Sequence, residues 1–218
     1  MTGRKKDQPQ KSKHKNAGIK YMKTVLFVLL DEFADWEGAF LASALRGGVM
    51  PGRPGRYEPH YATPGGRPVR SIGGMAVRPD SDLSALPEAC AGVVLVGGMG
   101  WTNPEAEEVV PLVEEALRRG LVVGAICNAA SFLAAHGFLN TVHHTGNTLE
   151  QLRLWGGINY SGETLYEERQ AVHDGNLITA NGSGYLEFTR EYLSALNADI
   201  PDAIAASYAF NKQGLYRK

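Results

Sequence analysis

Cysteine is scarce in this chain, since Cys90 and Cys127 are the two cysteines among 218 residues. Neither belongs to a CxxC pair or to a Cys/His cluster with the spacing of a zinc site. The pattern therefore excludes a disulfide framework and a structural metal as organising features, and we expect neither a metal nor a cofactor.

Long apolar runs are also missing. No stretch of about 18 apolar residues occurs, which argues against a membrane span. The basic N-terminus leads into strand-like sequence and not into a small-residue cleavage site, so it lacks the pattern of a secretory signal. These two absences predict a cytoplasmic protein with no membrane partner.

Net charge is low, at -1, but it is distributed unevenly. Residues 1–23 carry eight Lys or Arg against one acid, so the remainder of the chain is acidic. An acidic body is a poor partner for nucleic acid. Residues 1–22 lack apolar periodicity and are predicted to be a disordered basic arm, either an inert extension or a segment for an anionic surface. Residues 23–218 are predicted to form the folded domain.

Three apolar runs of strand length are present: TVLFVLL from Thr24, GVVLVGG over Gly92–Gly98 and LVVGAIC over Leu121–Cys127. Continuous apolar runs of this length are typical of parallel strands covered on both faces. Helical patterns follow each run, at 35–45, at 104–119 and in NAASFLAAHG. Alternation of strand and helix predicts an α/β fold with a doubly wound, mostly parallel sheet, a three-layer sandwich of flavodoxin-like type.

The remaining segments predict smaller elements. RPVRSIGGMAVRPD is predicted to form a hairpin that turns at Gly73-Gly74. A short helix is predicted over 148–155, strands over 170–173 and 176–180, and two further helices over 186–196 and 201–211.

Cys127 ends the third apolar run and directly precedes a helix. Ligands of open parallel sheets gather at the carboxyl ends of strands. A thiol at the start of a helix faces its first N–H groups, which favour thiolate and lower the pKa. We therefore expect Cys127 to be a nucleophile; the alternative is a buried structural cysteine.

An acidic turn follows the first strand, in LLDEFADWEG. Glu37 begins the next helix and is able to face the same crevice, where a carboxyl group can hydrogen-bond the thiol or shuttle its proton. Asp31, Glu32 and Asp35 are alternatives in the same turn. Any of these acids also fits the ordinary role of a charge at a helix N-terminus.

The segments VLFVLLDEFADWEG, VVLVGGMGW, VVGAICNAASFLA and NLITANGSGYLEF, in that order, resemble the ThiJ/PfpI superfamily, which has the class I glutamine-amidotransferase-like fold. The most specific of them is the nucleophile elbow GAICNAA. The resemblance implies a nucleophilic, readily oxidised Cys127, a protonated or hydrogen-bonding Glu37, and an oxyanion pocket formed by the backbone N–H groups of Gly98 and Asn128. It also implies a homodimer.

Two departures bear on mechanism. Peptidase-like members of the superfamily carry His directly after the nucleophile, where this chain has Asn128. Glutamine amidotransferases supply a late His and Glu, whereas NGSGYLEF contains no His-x-Glu, so glutaminase activity is not predicted. A histidine is available in TVHHTGN, and alternation along a short strand would aim either His143 or His144 at the crevice. We choose His144; the alternative is a solvated pair of turn residues.

Two tryptophans flank the expected crevice, Trp36 beside Glu37 and Trp101 after the glycine pair. They are predicted to line a small apolar pocket suited to a compact carbonyl compound. Core packing or a dimer contact is the alternative for either indole.

Three functions remain open at this point. The first is a cysteine-dependent enzyme that adds Cys127 to a small carbonyl, amide or related electrophile, as a hydrolase, glyoxalase-like or hydratase-like enzyme. The second is a redox or stress sensor in which Cys127 is oxidised and stabilised by Glu37. The third is a binding domain without turnover. Each has a small molecule as its expected partner.

Overall fold

A computed structural model describes residues 22–214 of the chain. The predicted basic arm lies outside the described residues except for Met22, so the division into an arm and a domain stays a prediction. Among the described residues, no helix combines the length and the apolar character that a membrane crossing requires.

Residues 22–214 contain eight strands: β1 (Lys23–Val28), β2 (Tyr57–Ala62), β3 (Val69–Arg70), β4 (Ala76–Val77), β5 (Cys90–Leu95), β6 (Val122–Ile126), β7 (Ala171–Asp174) and β8 (Leu177–Ala180). Six of them form the main sheet, in the order β2-β1-β5-β6-β8-β7. All neighbours in that sheet are parallel except β7, which pairs antiparallel with β8. The predicted mostly parallel sheet is confirmed.

In the described part of the chain, six α-helices accompany the strands: α1 (Asp35–Gly47), α2 (Val110–Arg118), α3 (Asn128–Ala135), α4 (Leu149–Gly156), α5 (Tyr185–Ala195) and α6 (Pro201–Gln213). Short 3-10 helices lie at Pro64–Gly66, Gly100–Thr102, Pro104–Val109, Gly157–Asn159 and Glu163–Leu165.

The sheet buries apolar residues on both of its faces. Along β1, Leu26 and Val28 pack into one cluster with α2, α3 and α4, while Val25 and Phe27 pack into the other with α1, α5 and α6. This alternation follows from the two-residue period of a strand. The three-layer α/β/α sandwich expected from the sequence is therefore confirmed.

The predicted hairpin is also present, formed by β3 and β4 paired antiparallel. Two acids of the turn after β1 hold it in place. Asp31 Oδ1 accepts the Arg70 N–H at 2.8 Å, and Asp35 Oδ2 accepts the Gly73 N–H at 2.9 Å. Asp31 and Asp35 thus fix a loop against the sheet.

One predicted helix is broken. The segment 104–119 forms a 3-10 helix up to Val109, and α2 starts at Val110. Pro111 lies in the first turn of α2 and has no N–H to donate to a carbonyl four residues earlier. The proline therefore marks the start of the α-helix and not a position in its interior.

Gly124 in β6 gives a test of how closely the sheet packs against α5. A Cβ at this position would lie 2.7 Å from Phe188 Cζ and 2.8 Å from Tyr192 Cδ2. Gly124→Ala should destabilise the protein by about 1–3 kcal/mol in chemical denaturation, because it overpacks the contact between β6 and α5. Gly47→Ala is the matched control, since a Cβ at Gly47 meets nothing within 4 Å. Equal stability of the two variants would contradict the packing described.

Candidate active site

Cys127 occupies a sharp turn between β6 and α3. Its backbone has φ 62° and ψ -128°, a conformation that costs a non-glycine residue about 1–3 kcal/mol. The Cys127 N–H donates to the Ala180 carbonyl at 2.8 Å, which ties the turn to β8. The side chain is partly exposed at the carboxyl end of the sheet, as a nucleophile elbow requires.

Glu37 lies in the first turn of α1 and is 1% exposed. Two glycines show how closely its carboxyl group approaches the thiol. A Cβ at Gly97 would lie 2.0 Å from Glu37 Oε2 and 2.6 Å from Cys127 Cβ. A Cβ at Gly182 would lie 2.9 Å from Glu37 Oε1 and 3.1 Å from Cys127 Sγ. Glu37 and Cys127 therefore share a space that exists because neither glycine has a side chain.

Burial changes the acidity of both groups. Desolvation raises the pKa of Glu37 to about 7, although hydrogen bonds with Cys127 and the Gly97 backbone oppose the shift. Glu37 Oε2 is buried and has no hydrogen-bond partner among residues 22–214. Because burying a carboxylate is costly when one of its oxygens has no donor, this environment favours the neutral acid.

The thiol does not follow the prediction made from its position at a helix start. Desolvation, and then the negative charge of Glu37, raise the pKa of Cys127 to about 11, despite hydrogen bonds from Asn147 and the Asn128 N–H. The expected lowering of the pKa is therefore wrong: burial and a like charge outweigh the helix N-terminus. Between these two pKa values the pair Glu37/Cys127 holds a single proton.

A network of amide side chains surrounds the sulfur. Asn147 Nδ2 donates to Cys127 Sγ at 3.4 Å, and Asn147 Oδ1 accepts the Gly182 N–H at 2.9 Å. Gln151 Nε2 donates to Asn128 Oδ1 at 2.7 Å. Sequence reasoning missed Asn147 and Gln151. The one signal was the amide residue that follows the histidine pair in HHTGNT, and an isolated amide residue forms no recognisable catalytic motif.

Asn128 and Gly98, the predicted oxyanion residues, are neighbours. Asn128 Nδ2 donates to the Gly98 carbonyl at 2.8 Å. Gly98 has φ 146°, and a Cβ there would lie 2.4 Å from the Glu32 carbonyl oxygen, so this position needs glycine. The structure thus brings Gly98, just after β5, to Asn128 at the start of α3, the residue next to Cys127. Their binding of an oxyanion stays a prediction.

His144 is not one of the residues gathered round the thiol. It is fully buried, with Nδ1 2.8 Å from the Val142 carbonyl and Nε2 2.7 Å from the Tyr160 hydroxyl. Both ring nitrogens are thus engaged away from Cys127, which corrects the expected orientation. His143, the alternative, pairs with Glu167 at 3.0 Å on the surface.

The two tryptophans have different surroundings. Trp36 is 47% exposed, and its Nε1 donates to the Gly182 carbonyl at 3.2 Å, so it flanks the site. Trp101 is buried, donates to the Val96 carbonyl at 2.9 Å and packs on Phe132 with ring centroids 4.9 Å apart. Trp101 therefore takes the core-packing role that was its alternative.

The remaining chemistry-bearing residues are separate from the site. Cys90 is buried in β5, where its thiol donates to the Gly92 carbonyl at 3.3 Å. Within residues 22–214, no group of three or more His, Cys, Asp or Glu side chains is arranged to hold a metal ion.

Comparison with known proteins identifies the family of this chain. The DJ-1/PfpI family model matches residues 23–195. The chain belongs to the DJ-1/PfpI family. Among its relatives, the uncharacterized protease YdeA of Bacillus subtilis is 36% identical over 197 residues, which cover 89% of this chain and 94% of the relative.

Solved structures of DJ-1/PfpI proteins share the fold. A DJ-1 superfamily protein from Agrobacterium tumefaciens is 37% identical with a TM-score of 0.78, covering 88% of this chain and 99% of that one. A ThiJ/PfpI family protein from Bacillus anthracis is 30% identical with a TM-score of 0.79, covering 88% and 92%. The resemblance read from the sequence is confirmed.

Glu37→Gln tests the coupling of the two groups. Because the Glu37 charge raises the pKa of the thiol, its removal should lower the apparent pKa of Cys127 by about 1–3 units. The pH dependence of iodoacetamide labelling, followed by mass spectrometry at Cys127, gives this value. Glu32→Gln, an exposed acid of the same turn, is the matched control and should leave the pKa unchanged. A wild-type pKa well below the free value of about 8.5 would contradict the burial argument.

The same variant should change the pH dependence of stability. Since the pKa of Glu37 rises from 4.5 to about 7 on folding, its favourable contribution is complete below pH 4.5 and is lost as the pH rises to about 7. Glu37→Gln should therefore stabilise the protein at about pH 8 relative to about pH 4, by on the order of 3 kcal/mol. Urea denaturation of both proteins measures the free energy of unfolding. A pH-independent difference would show that Glu37 is not protonated by burial.

Proposed function

We propose that this DJ-1/PfpI protein is a cysteine-dependent enzyme that adds Cys127 covalently to a small carbonyl, amide or related electrophile. The observation that carries the proposal is the shared space between Gly97 and Gly182, in which a buried carboxyl group meets a thiol on a strained turn. Strain held beside a perturbed acid is a common mark of a catalytic site.

The pair Glu37/Cys127 supplies both a nucleophile and a proton store. When the thiol proton moves to the Glu37 carboxylate, the sulfur becomes a thiolate beside a neutral acid. The thiolate forms a C–S bond to the carbonyl carbon, and the π electrons of the carbonyl move to its oxygen. Glu37 then returns the proton to that oxygen or, in an amide, to the leaving nitrogen as the carbonyl re-forms and the C–N bond breaks. For an amide, the oxygen of a water molecule then bonds to the acyl carbon, the C–S bond breaks, and a proton of that water returns to the sulfur, which completes a hydrolysis.

Backbone N–H groups complete the arrangement. The Asn128 N–H already hydrogen-bonds the sulfur, and the Asn128 side chain fixes the Gly98 peptide. N–H groups of Asn128 and Gly98 are therefore our choice for receiving the developing oxyanion. Because Asn147 donates to the sulfur and amides do not act as bases, Glu37 is the group we assign to proton transfer. The protease description of the relative from Bacillus subtilis supports the hydrolase form of this chemistry.

A second function has one observation in its favour. Asn147 Nδ2 and the protonated Glu37 carboxyl are both donors beside the sulfur. Donors in these positions would stabilise the oxygens of a sulfinate formed by oxidation of Cys127. A redox sensor therefore remains the alternative to turnover.

Turnover of small aldehydes, amides and isonitriles by purified protein tests the proposal. Cys127→Ala should abolish activity, and Glu37→Gln should lower kcat/KM about 100-fold or more, because proton transfer typically contributes that much. In wild type, kcat/KM should rise as the pH passes about 7, since Glu37 must ionise to accept the thiol proton. Cys90→Ala is the matched control and should retain full activity.

Two outcomes would contradict the enzyme proposal. Activity that survives Cys127→Ala would remove the nucleophile from its role. No turnover, combined with selective oxidation of Cys127 by mild peroxide in mass spectrometry, would favour the sensor instead.

A further inference from the structure

Three carboxamide side chains form a chain of hydrogen bonds beside Cys127. Asn147 Nδ2 lies 3.3 Å from Asn128 Oδ1, and Gln151 Nε2 lies 2.7 Å from the same oxygen. Asn128 Nδ2 in turn donates to the Gly98 carbonyl at 2.8 Å. We call these three side chains the amide chain. It connects α4 and the segment before it to the loop that follows β5.

Backbone groups at both ends of the amide chain set its direction. The Gly182 N–H is a donor and bonds Asn147 Oδ1 at 2.9 Å, so Asn147 Nδ2 faces the sulfur and Asn128. The Gly98 carbonyl is an acceptor, so Asn128 presents its Nδ2 atom to it and its Oδ1 atom to Gln151. A reversed carboxamide would place two donors or two acceptors face to face. The order of donors and acceptors is therefore fixed from Gly182 to Gly98.

Gly98 is the end point of the amide chain. Its φ of 146° suits glycine, which keeps more backbone freedom than any other residue. The peptide that follows Gly98 is held from both sides: Asn128 Nδ2 bonds its carbonyl, and its N–H, that of Met99, donates to the Glu32 carbonyl at 3.0 Å. The Gly98 N–H itself donates no hydrogen bond within residues 22–214. An N–H group that is held in place without an acceptor is available to a developing oxyanion.

Gln151 is held by the helix that carries it. Its backbone N–H donates to the Thr148 hydroxyl at 3.1 Å, which caps α4. The next residue, Leu152, is fully buried in the core. A Cβ at Gly146 would lie 2.9 Å from Leu152 Cδ2, so α4 also packs closely against the segment that leads into it. Because packing sets the position of Gln151, its Nε2 donor is a fixed point for the Asn128 side chain.

We propose that Gln151 is a positioning residue of the oxyanion pocket and acts through the Asn128 side chain on Gly98. Its donor keeps Asn128 Oδ1 turned toward α4, which leaves Asn128 Nδ2 to hold the Gly98 carbonyl. The Gly98 N–H then stays in place for the oxyanion. This inference rests on the proposed addition of Cys127 to a carbonyl group, because it names what holds the pocket during that step.

Two reagents separate the oxyanion pocket from the thiol. With p-nitrophenyl acetate, the thiol proton moves to Glu37 and the sulfur bonds to the carbonyl carbon, so that the carbonyl oxygen gains the negative charge. The carbonyl then re-forms, the C–O bond to the aryl group breaks, and p-nitrophenolate leaves. Iodoacetamide alkylates the same sulfur with loss of iodide and forms no oxyanion. The ratio of the two rates at Cys127 therefore measures the pocket and not the thiol.

Gln151→Met removes the donor and keeps a side chain of similar length. It should lower the rate of Cys127 acylation about tenfold and leave alkylation unchanged, since loss of one oxyanion donor costs about 100-fold or more and displacement costs less. Leu154→Ala removes an exposed side chain of the same helix, is the matched control and should change neither rate. Unchanged acylation in Gln151→Met, or an equal loss of both rates, would overturn the proposal.

A double variant tests the route of the effect. Because Gln151 acts through Asn128, Gln151→Met should add no further loss of acylation to that of Asn128→Ala. Losses that multiply in the double variant would place the action of Gln151 elsewhere and overturn the proposal. Backbone NMR spectra establish that each variant is folded before the rates are compared.

An NMR measurement separates this inference from the proposed function. The hydrogen bond from Asn128 Nδ2 to the Gly98 carbonyl is observed as a scalar coupling across the bond, with no reagent present. This coupling should be lost in Gln151→Met and kept in Leu154→Ala. If wild-type Cys127 is not acylated but the coupling behaves as expected, the proposed function is contradicted and the action of Gln151 on Gly98 is supported. A coupling that persists in Gln151→Met would overturn the role of Gln151, whatever the wild type acylates.

Discussion

The organising constraint of this structure is the contact between one carboxyl group and one thiol in a space left by two glycines. Glu37 comes from α1, Cys127 from the end of β6, and the glycines from the ends of β5 and β8. Parallel strands bring these ends to one edge of the sheet, so segments far apart in sequence meet there. The strained turn at Cys127, the amide network and the raised pKa values all depend on that meeting.

Much of the fold could be predicted from local pattern. Buried parallel strands need apolar residues on both faces. This requirement makes the strands recognisable in the sequence as the apolar runs TVLFVLL, GVVLVGG and LVVGAIC. Cys127 lies at the end of one such run. The acidic turn after another contains Glu37 and three alternative candidates for the acid beside the thiol. Periodicity could not tell these acids apart, because the role of Asp31 and Asp35 depends on their hydrogen bonds to the hairpin of β3 and β4, which is distant in sequence. The superfamily resemblance favoured Glu37, and the described geometry agrees.

Predictions failed where the outcome depends on tertiary surroundings. The pKa of Cys127 was argued from one nearby helix, whereas desolvation and the Glu37 charge determine it in the folded chain. His144 is buried, but its ring is hydrogen-bonded to the Tyr160 hydroxyl and not to the sulfur of Cys127. Asn147 replaces it beside the thiol, and no spacing rule marks an isolated amide for that position. In each case the deciding partner lies on another segment.

The burial of Cys90 has a practical consequence. Both cysteines lie within residues 22–214, and the thiol of Cys90 is 7% exposed and bonded to a backbone carbonyl. Of the two thiols, the native chain consequently offers solvent only that of Cys127, whose sulfur is the atom at the centre of the site. A fluorinated or spin-bearing label can be attached there without engineering the sequence, which makes the unaltered protein its own spectroscopic reporter.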